Sequence, residues 1–222
     1  GGISFDGGGP GDDDSITLNG EAGSVTHSFS GPGSGSIEVD GKTVDYSGLE
    51  PVVDRLVVAD RIFVFGSDTD VVALTEAGDL ARIDSPTSER VDFVKPTDRL
   101  IVDLGDGADL FYGYEYEGPT EIRGGAGNDL IVGTRGADRI DGGDGIDILI
   151  GGPGDDTIHG GEGFDILVGG DGDDELDGGP GGELIVDVAT RFATDLATGR
   201  ALLGRGARVA EPLGPPAIAV EA

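Results

Sequence analysis

The chain has 222 residues, enough for one large domain or two small ones, and carries 44 acidic residues against 14 Lys and Arg, a formal net charge of -30. Such a field repels phosphate, so it disfavours nucleic acid and anionic membrane surfaces as partners and favours cations. Cysteine is absent, which removes disulfides, thiolate metal sites and thiol nucleophiles, while 36% hydrophobic content gathered in short β-branched clusters argues against a disordered acidic chain.

The chain opens Gly1-Gly2 and contains no methionine, so it reads as a fragment or a processed piece. No charged-then-apolar leader is visible, and no apolar run approaches the roughly 18 residues of a membrane span. Any secretion signal is therefore expected outside the chain or at an unrecognised C-terminus. Residues 1–96 read as a β-rich, solenoid-like region. SITLN, SVTHSFS, RLVVADRIFVF, DVVALTE and RVDFV are predicted strands punctuated by Gly, Pro, Asp and Ser. SIEVDGKTVDY predicts a hairpin near 36–46 turning at Asp40-Gly41, with Ile37 opposite Val44 and Glu38 opposite Thr43. No 3.6-residue stripe predicts a helix here. GGPGDD (Gly8 to Asp13) echoes a motif found downstream but loses phase at once. SDTD (Ser67 to Asp70) is too short for an EF-hand and lacks its glycine. His27 and His159, the two histidines, lie on separate segments and read as exposed surface residues, and no HExxH zinc site is present.

Residues 97–186 hold repeats. A degenerate turn, LGDGADLFY (104–112), comes first, followed by Tyr112, Tyr114 and Tyr116, which with Phe111 read as aromatics covering a core edge more than as a carbohydrate platform. From Gly124 seven nonapeptides run without insertion to Val186: GGAGNDLIV, GTRGADRID, GGDGIDILI, GGPGDDTIH, GGEGFDILV, GGDGDDELD and GGPGGELIV. Position six reads Asp129, Asp138, Asp147, Asp156, Asp165, Asp174 and Glu183; position eight is Ile or Leu throughout. A period of nine excludes collagen, and no helix follows the GxG elements, so they are not nucleotide loops. A fixed period marks stacked units that cannot bury their own apolar face. The second half of each unit is a short strand with its position-eight side chain inward, and the glycine-rich first half is a sharp turn. Two units make a coil of eighteen residues, which aligns Asp129, Asp147 and Asp165 on one edge and Asp138, Asp156 and Asp174 on the other. Coils stack about 4.8 Å apart, where like charges repel by several kcal/mol at an effective dielectric of about 20. Carboxylates that close need a counterion, and oxygen ligands without His or Cys select a hard cation, Ca²⁺ ahead of Mg²⁺.

These seven in-phase units resemble the RTX (hemolysin-type) calcium-binding repeat, GGxGxDxUx with U a large aliphatic. The resemblance implies an all-β, right-handed parallel β-solenoid or β-roll, bacterial secretion, and folding that waits for extracellular calcium. It further implies sites built from the carbonyls of positions two and four and the aspartate of one turn, with the carbonyls of positions one and three and the aspartate one coil later. On one edge that set joins Gly125, Gly127 and Asp129 to Gly142, Asp144 and Asp147, and then Gly143, Gly145 and Asp147 to Gly160, Glu162 and Asp165. A third site would join Gly161, Gly163 and Asp165 to Gly178, Pro180 and Glu183. On the other edge Thr134, Gly136 and Asp138 face Gly151, Pro153 and Asp156, and Gly152, Gly154 and Asp156 face Gly169, Asp171 and Asp174. The upstream turn offers a sixth set, Gly105, Gly107 and Asp109 with Gly124, Ala126 and Asp129. Two departures stand out: Thr134 in place of the second glycine implies a strained turn, and Glu183 is one methylene longer than aspartate.

The tail, 187–222, has four acids and four arginines and ends Pro-rich, and is expected to be of low order. Residues 184–188 read as strand. DVATRFATDLATG fits a helix, with Val188, Phe192 and Leu196 four apart, or a strand pair turning at Thr198-Gly199. The expected function is a non-enzymatic, calcium-stabilised structural or adhesive module of a secreted or cell-surface bacterial protein, with no catalytic residues and a protein or glycan partner left unidentified. The alternative is the accessory region of a secreted enzyme or toxin whose catalytic part lies elsewhere. Extracellular modules bind calcium with constants near 10⁻⁴ to 10⁻³ M, and each site at tenfold excess adds about 1.4 kcal/mol. About five ions would then supply about 7 kcal/mol, comparable to the whole stability of a small domain.

Overall fold

The computed structural model describes residues 2–6, 15–31, 33–47, 52–86, 90–186 and 208–209; the expectations for Gly8 to Asp13 and for most of the tail lie outside them. Every described element is a strand, and all join one largely parallel sheet, as the β-solenoid reading anticipates. The strands stack in three columns. Ser15–Glu21, Val52–Val57 and Val91–Phe93 form a short one. The second runs from Ser24–Gly31 through Asp60–Val64, Arg99–Asp103, Glu121–Ala126 and Arg139–Gly145 to the start of Thr157–Asp171 and to Glu175–Asp177. The third runs from Val71–Ala77 through Leu110–Glu115, Leu130–Val132 and Ile148–Pro153 to the end of Thr157–Asp171 and to Gly181–Val186. Stacking is continuous across residue 96, because Arg99–Asp103 pairs with Asp60–Val64 below and Glu121–Ala126 above.

Period-two alternation explains the core. In the second column His27, Phe63, Val102, Ile122, Ile140, Ile158 and Leu176 stand directly above one another. In the third the sequence is Val72, Phe111, Ile131, Leu149, Leu167 and Ile185. All but Ile185, which packs on the cluster half-buried, are closed off from solvent. The position-eight side chains thus form two facing aliphatic ladders. The coils below are longer and wider, and Phe29, Phe63, Phe65 and Phe93 fill their extra width in mutual ring contact. RLVVADRIFVF is not one strand: the chain turns at Val58-Ala59 to pass from the first column to the second. Phe111 and Tyr116 are buried, whereas Tyr112 and Tyr114 face outward.

Antiparallel hairpins are added at the N-terminal end. Gly2–Asp6 pairs with Ser15–Glu21, and Ser24–Gly31 leads into Ser34–Val39 and Lys42–Ser47 in a meander. The expected register holds, Ile37 to Val44 and Glu38 to Thr43. Asp40 (φ 48°) and Gly41 (φ 75°) both take the left-handed conformation that a two-residue hairpin turn needs. The outermost strand of this meander, Lys42–Ser47, exposes Lys42, Thr43, Asp45 and Ser47.

His27 is a correction to the sequence reading: it is fully buried, because Val25, His27 and Phe29 alternate inward on one strand. Its partners are inward on their own strands. His27 Nε2 lies 2.8 Å from Asp54 Oδ2, the Arg61 guanidinium donates to the same oxygen, and Arg61 Nη2 donates to the Leu56 carbonyl at 2.9 Å. Asp54 Oδ1 accepts the Leu56 N–H at 2.9 Å, and the Phe93 ring lies 5.2 Å from the guanidinium. Burial holds the His27 pKa below its ordinary value against the pull of Asp54, so the ring is neutral and donates from Nε2. Burial opposes ionisation of Asp54, but the His27 hydrogen bond and the Arg61 charge outweigh it and hold that carboxyl below its usual range. Removing one partner of such a group strands a buried charge. Asp54→Ala is expected to cost about 3–5 kcal/mol in urea unfolding; a loss under 1 kcal/mol would contradict a closed, charged core here.

Candidate metal centre

The turns between columns are shaped by glycine. Gly143 (φ 106°) and Gly145 (φ 142°), positions two and four of their repeat, adopt angles that L-residues rarely reach. A Cβ on either would also run into the carbonyl oxygen of Gly125 or Gly127 one coil below. Gly154, on the opposite edge, meets the Gly136 carbonyl in the same way, and the Thr134 carbonyl lies 2.7 Å from where a Gly152 Cβ would be. Carbonyls of positions two and four are therefore presented to the coil above with nothing between. Position-four N–H groups bond upward to position-three carbonyls: Gly127 to Asp144 at 2.7 Å, Gly154 to Asp171 at 2.8 Å and Gly163 to Pro180 at 3.3 Å. Each such carbonyl keeps a second lone pair.

The position-six aspartates, at turn ends facing inward, are all 0–3% exposed. One oxygen of each is satisfied by the main chain one coil below. Asp129 N–H donates to Asp147 Oδ1 at 2.8 Å and Asp147 N–H to Asp165 Oδ1 at 3.0 Å. On the other edge Asp138 N–H donates to Asp156 Oδ1 at 2.8 Å and Asp156 N–H to Asp174 Oδ1 at 2.9 Å. The second oxygen is different. Oδ2 of Asp129, Asp147, Asp156 and Asp165 is buried and has no hydrogen-bond partner among the described residues. Position-one glycines leave it room: a Cβ at Gly124 or Gly142 would stand 2.5 Å from Oδ2 of Asp129 or Asp147, and one at Gly160 would stand 2.6 Å from that of Asp165. Gly151 and Gly169 hold the same place beside Asp156 and Asp174.

The expected sets are thus brought together by register. Gly125, Gly127 and Asp129 lie below Gly142, Asp144 and Asp147, and Gly143, Gly145 and Asp147 lie below Gly160, Glu162 and Asp165. Gly152, Gly154 and Asp156 lie below Gly169, Asp171 and Asp174. Two positions depart. Thr134 is not among the residues at positive φ, so its turn is reshaped rather than strained. Its N–H reaches Asp138 Oδ2 at 2.5 Å and its hydroxyl lies 2.8 and 2.9 Å from the two carboxylate oxygens, while Thr120 N–H takes Oδ1 at 2.8 Å. Asp138 is therefore already satisfied by protein, a role for Thr134 that its place two residues after an Ile-Val strand end did not reveal. At the other end, Glu183 sets its aliphatic carbons near Gly178, where aspartates place Oδ2. Upstream, Asp109 repeats the pattern across a twenty-residue coil: its N–H donates to Asp129 Oδ1 at 2.8 Å, and its own Oδ2 is buried without a partner among the described residues.

Among known families, the model of the RTX calcium-binding nonapeptide repeat (4 copies) matches residues 117–149 and again 150–182. These are RTX calcium-binding repeats. They form a structural calcium-binding module, not a catalytic one, within a chain that extends well beyond them on both sides. Neither a curated protein nor a solved structure matches the chain. The RTX turns fit calcium on their own chemistry: buried carboxylate oxygens without donors, main-chain carbonyls stacked beside them, and no basic side chain at positions one to six except Arg135. No three Asp, Glu or His side chains cluster among the described residues. A multi-oxygen site must therefore combine two carboxylates with backbone oxygens.

Without metal, burial raises these carboxyl pKa values, to about 6 for Asp138 and Asp147 and to about 7 for Asp156, with neighbouring aspartates adding to the effect for Asp147 and Asp156. Asp129 and Asp165 are raised as well, also by burial. A raised carboxyl pKa means that the folded roll binds more protons than the unfolded chain. Metal-free stability therefore falls as pH rises from about 4 through about 7, and recovers as the pH is lowered. In chelator, circular dichroism is expected to report more strand at about pH 5 than at about pH 7.5. The reverse trend would contradict the burial of these groups.

Proposed function

We propose that the acidic turns clamp calcium ions between successive coils, making the chain a calcium-assembled structural or adhesive module of a secreted or cell-surface protein. The observation that supports this most directly is the buried, unpartnered Oδ2 repeated at Asp129, Asp147, Asp156 and Asp165. Each bound ion supplies the positive charge that lets two such carboxylates stand one coil apart. On the first edge Asp129 and Asp147 close one site with carbonyls of Gly125, Gly127, Gly142 and Asp144. Asp147 and Asp165 close the next with Gly143, Gly145, Gly160 and Glu162. Asp156 and Asp174, with Gly152, Gly154, Gly169 and Asp171, do the same on the second edge. Asp109 and Asp129, with carbonyls of Gly105, Gly107, Gly124 and Ala126, extend the first edge upstream. Asp138 and Glu183 make weaker contributions, the one because Thr134 already occupies its oxygens, the other because its Cβ and Cγ fill the place beside Gly178.

The repeats from 124 to 186 hold 15 acids and two arginines, so their self-repulsion in the absence of metal opposes a thin core. Sites with constants near 10⁻⁴ to 10⁻³ M stay empty at cytosolic calcium and fill outside the cell, which supports a module that folds after export. Far-UV circular dichroism is expected to show a large gain of strand on raising calcium to millimolar in the full chain, with magnesium far less effective. A spectrum indifferent to chelator would overturn the reading. Asp147 serves two sites, so Asp147→Asn is expected to weaken calcium-induced folding by about 2–3 kcal/mol, the sum of two site contributions of about 1.4 kcal/mol each; Asp144→Asn, which alters an outward side chain, should change it little.

A further inference from the structure

We infer that the first edge carries one more divalent-cation site, outside the repeats, between the turn at 65–70 (FGSDTD) and the turn at 104–109 (LGDGAD). The inference rests on the calcium reading of the repeats and extends it into coils of a different length. Residues 65–70 look unlike a repeat turn because only one glycine is present and the next turn in the stack comes 39 residues later. Their backbone nonetheless repeats the geometry of the sites above. The carbonyl of Gly66 lies against Gly105, and that of Asp68 lies 2.6 Å from where a Gly107 Cβ would be, as Gly105 and Gly107 lie against Gly125 and Gly127. Asp106 N–H donates to the Gly66 carbonyl at 3.1 Å, as Ala126 N–H donates to that of Gly105 at 3.2 Å. Leu110 N–H donates to the Asp70 carbonyl at 2.9 Å, as Leu130 N–H donates to that of Asp109 at 2.8 Å.

The side chains match too. Asp70 is 5% exposed and Asp109 is 2% exposed, at the same position of successive turns. Asp70 N–H donates to Asp109 Oδ1 at 2.7 Å, which turns the Asp109 carboxylate toward the lower turn, and Oδ2 of that group is buried with no hydrogen-bond partner among the described residues. Neither turn contains a basic residue. Thr69 Oγ1 faces Ala108 N–H at 3.4 Å, the position-five contact that Asn128 makes to Ile146 at 2.8 Å. The oxygens gathered are those of a hard cation: carbonyls of Gly66, Asp68, Leu104 and Asp106 and carboxylates of Asp70 and Asp109. The other edge shows what an ended ladder looks like. There Thr120 stands where an aspartate would, and Thr134 fills the gap above it. On edge one no such plug bonds Asp109 Oδ2 among the described residues, so a cation there would tie the hairpin-bearing coils to the roll.

Calcium titration calorimetry and hydrogen exchange of the full chain test this with Asp70→Asn, which keeps shape and main-chain bonding. The expected result is one ion fewer than wild type, with calcium-dependent protection lost at residues 66–72 and retained across 124–186. Asp109→Asn should lose two ions, whereas Asp79→Asn, an exposed side chain at the turn of the hairpin between Val71–Ala77 and Leu80–Asp84, should lose none. Equal stoichiometry in wild type and Asp70→Asn, with residues 66–72 indifferent to calcium while the repeats respond, would overturn the upstream site and leave the roll intact. Repeats that do not respond either would overturn both.

Discussion

A carboxylate that is half satisfied governs this fold. Asp129, Asp147, Asp156 and Asp165 each give one oxygen to an N–H of the coil below and hold the other in a buried place where the described residues offer no donor. Leaving a buried acceptor unpaired costs about 1–3 kcal/mol, and more when it is charged. Repeated coil after coil, that cost sets the stability of the stack. The aliphatic ladders on the inside are real but thin: each repeat adds a single Ile or Leu at position eight to the core. Packing of that kind is thin, so an unpaired acceptor repeated along the edges weighs heavily against it.

Glycine makes the arrangement possible in two separate ways. Positive φ lets the chain turn within five residues, and the missing Cβ lets one coil's carbonyls approach the next. Neither reason concerns the ion, yet both leave oxygens pointing into the same small space. Departures from glycine are therefore informative. Thr134 changes the turn and brings a hydroxyl that replaces what a cation would do for Asp138. Gly179 and Gly181 keep the turn of the last repeat, but the longer Glu183 fills the space beside Gly178 with carbon.

Much of this was legible in the sequence. A nine-residue period without insertion fixes which aspartates align and which aliphatics face in, because parallel stacking multiplies any periodic signal. The Asp40-Gly41 hairpin was legible for a local reason, since only a few residue pairs tolerate that turn. What escaped was non-periodic. Asp70 and Asp109 are aligned by a 39-residue excursion through a hairpin, and no fixed offset announces it. His27, Asp54 and Arg61 are polar residues at inward positions, and pattern reading treats polar as outward unless their mutual pairing is known. The alternation Val25, His27, Phe29 carried the correct signal for a reader willing to trust parity over polarity.

A pile of parallel coils has an intrinsic hazard: its terminal strand is an open template onto which another copy can dock and propagate. The meander at the N-terminal end answers that hazard in this chain. Ser24–Gly31 has its free side taken by Ser34–Val39, and the strand beyond it presents Lys42, Thr43, Asp45 and Ser47 to solvent. A hydrophilic, charge-bearing rim is a poor acceptor for a neighbouring chain, so Lys42–Ser47 is a poor template for head-to-tail growth.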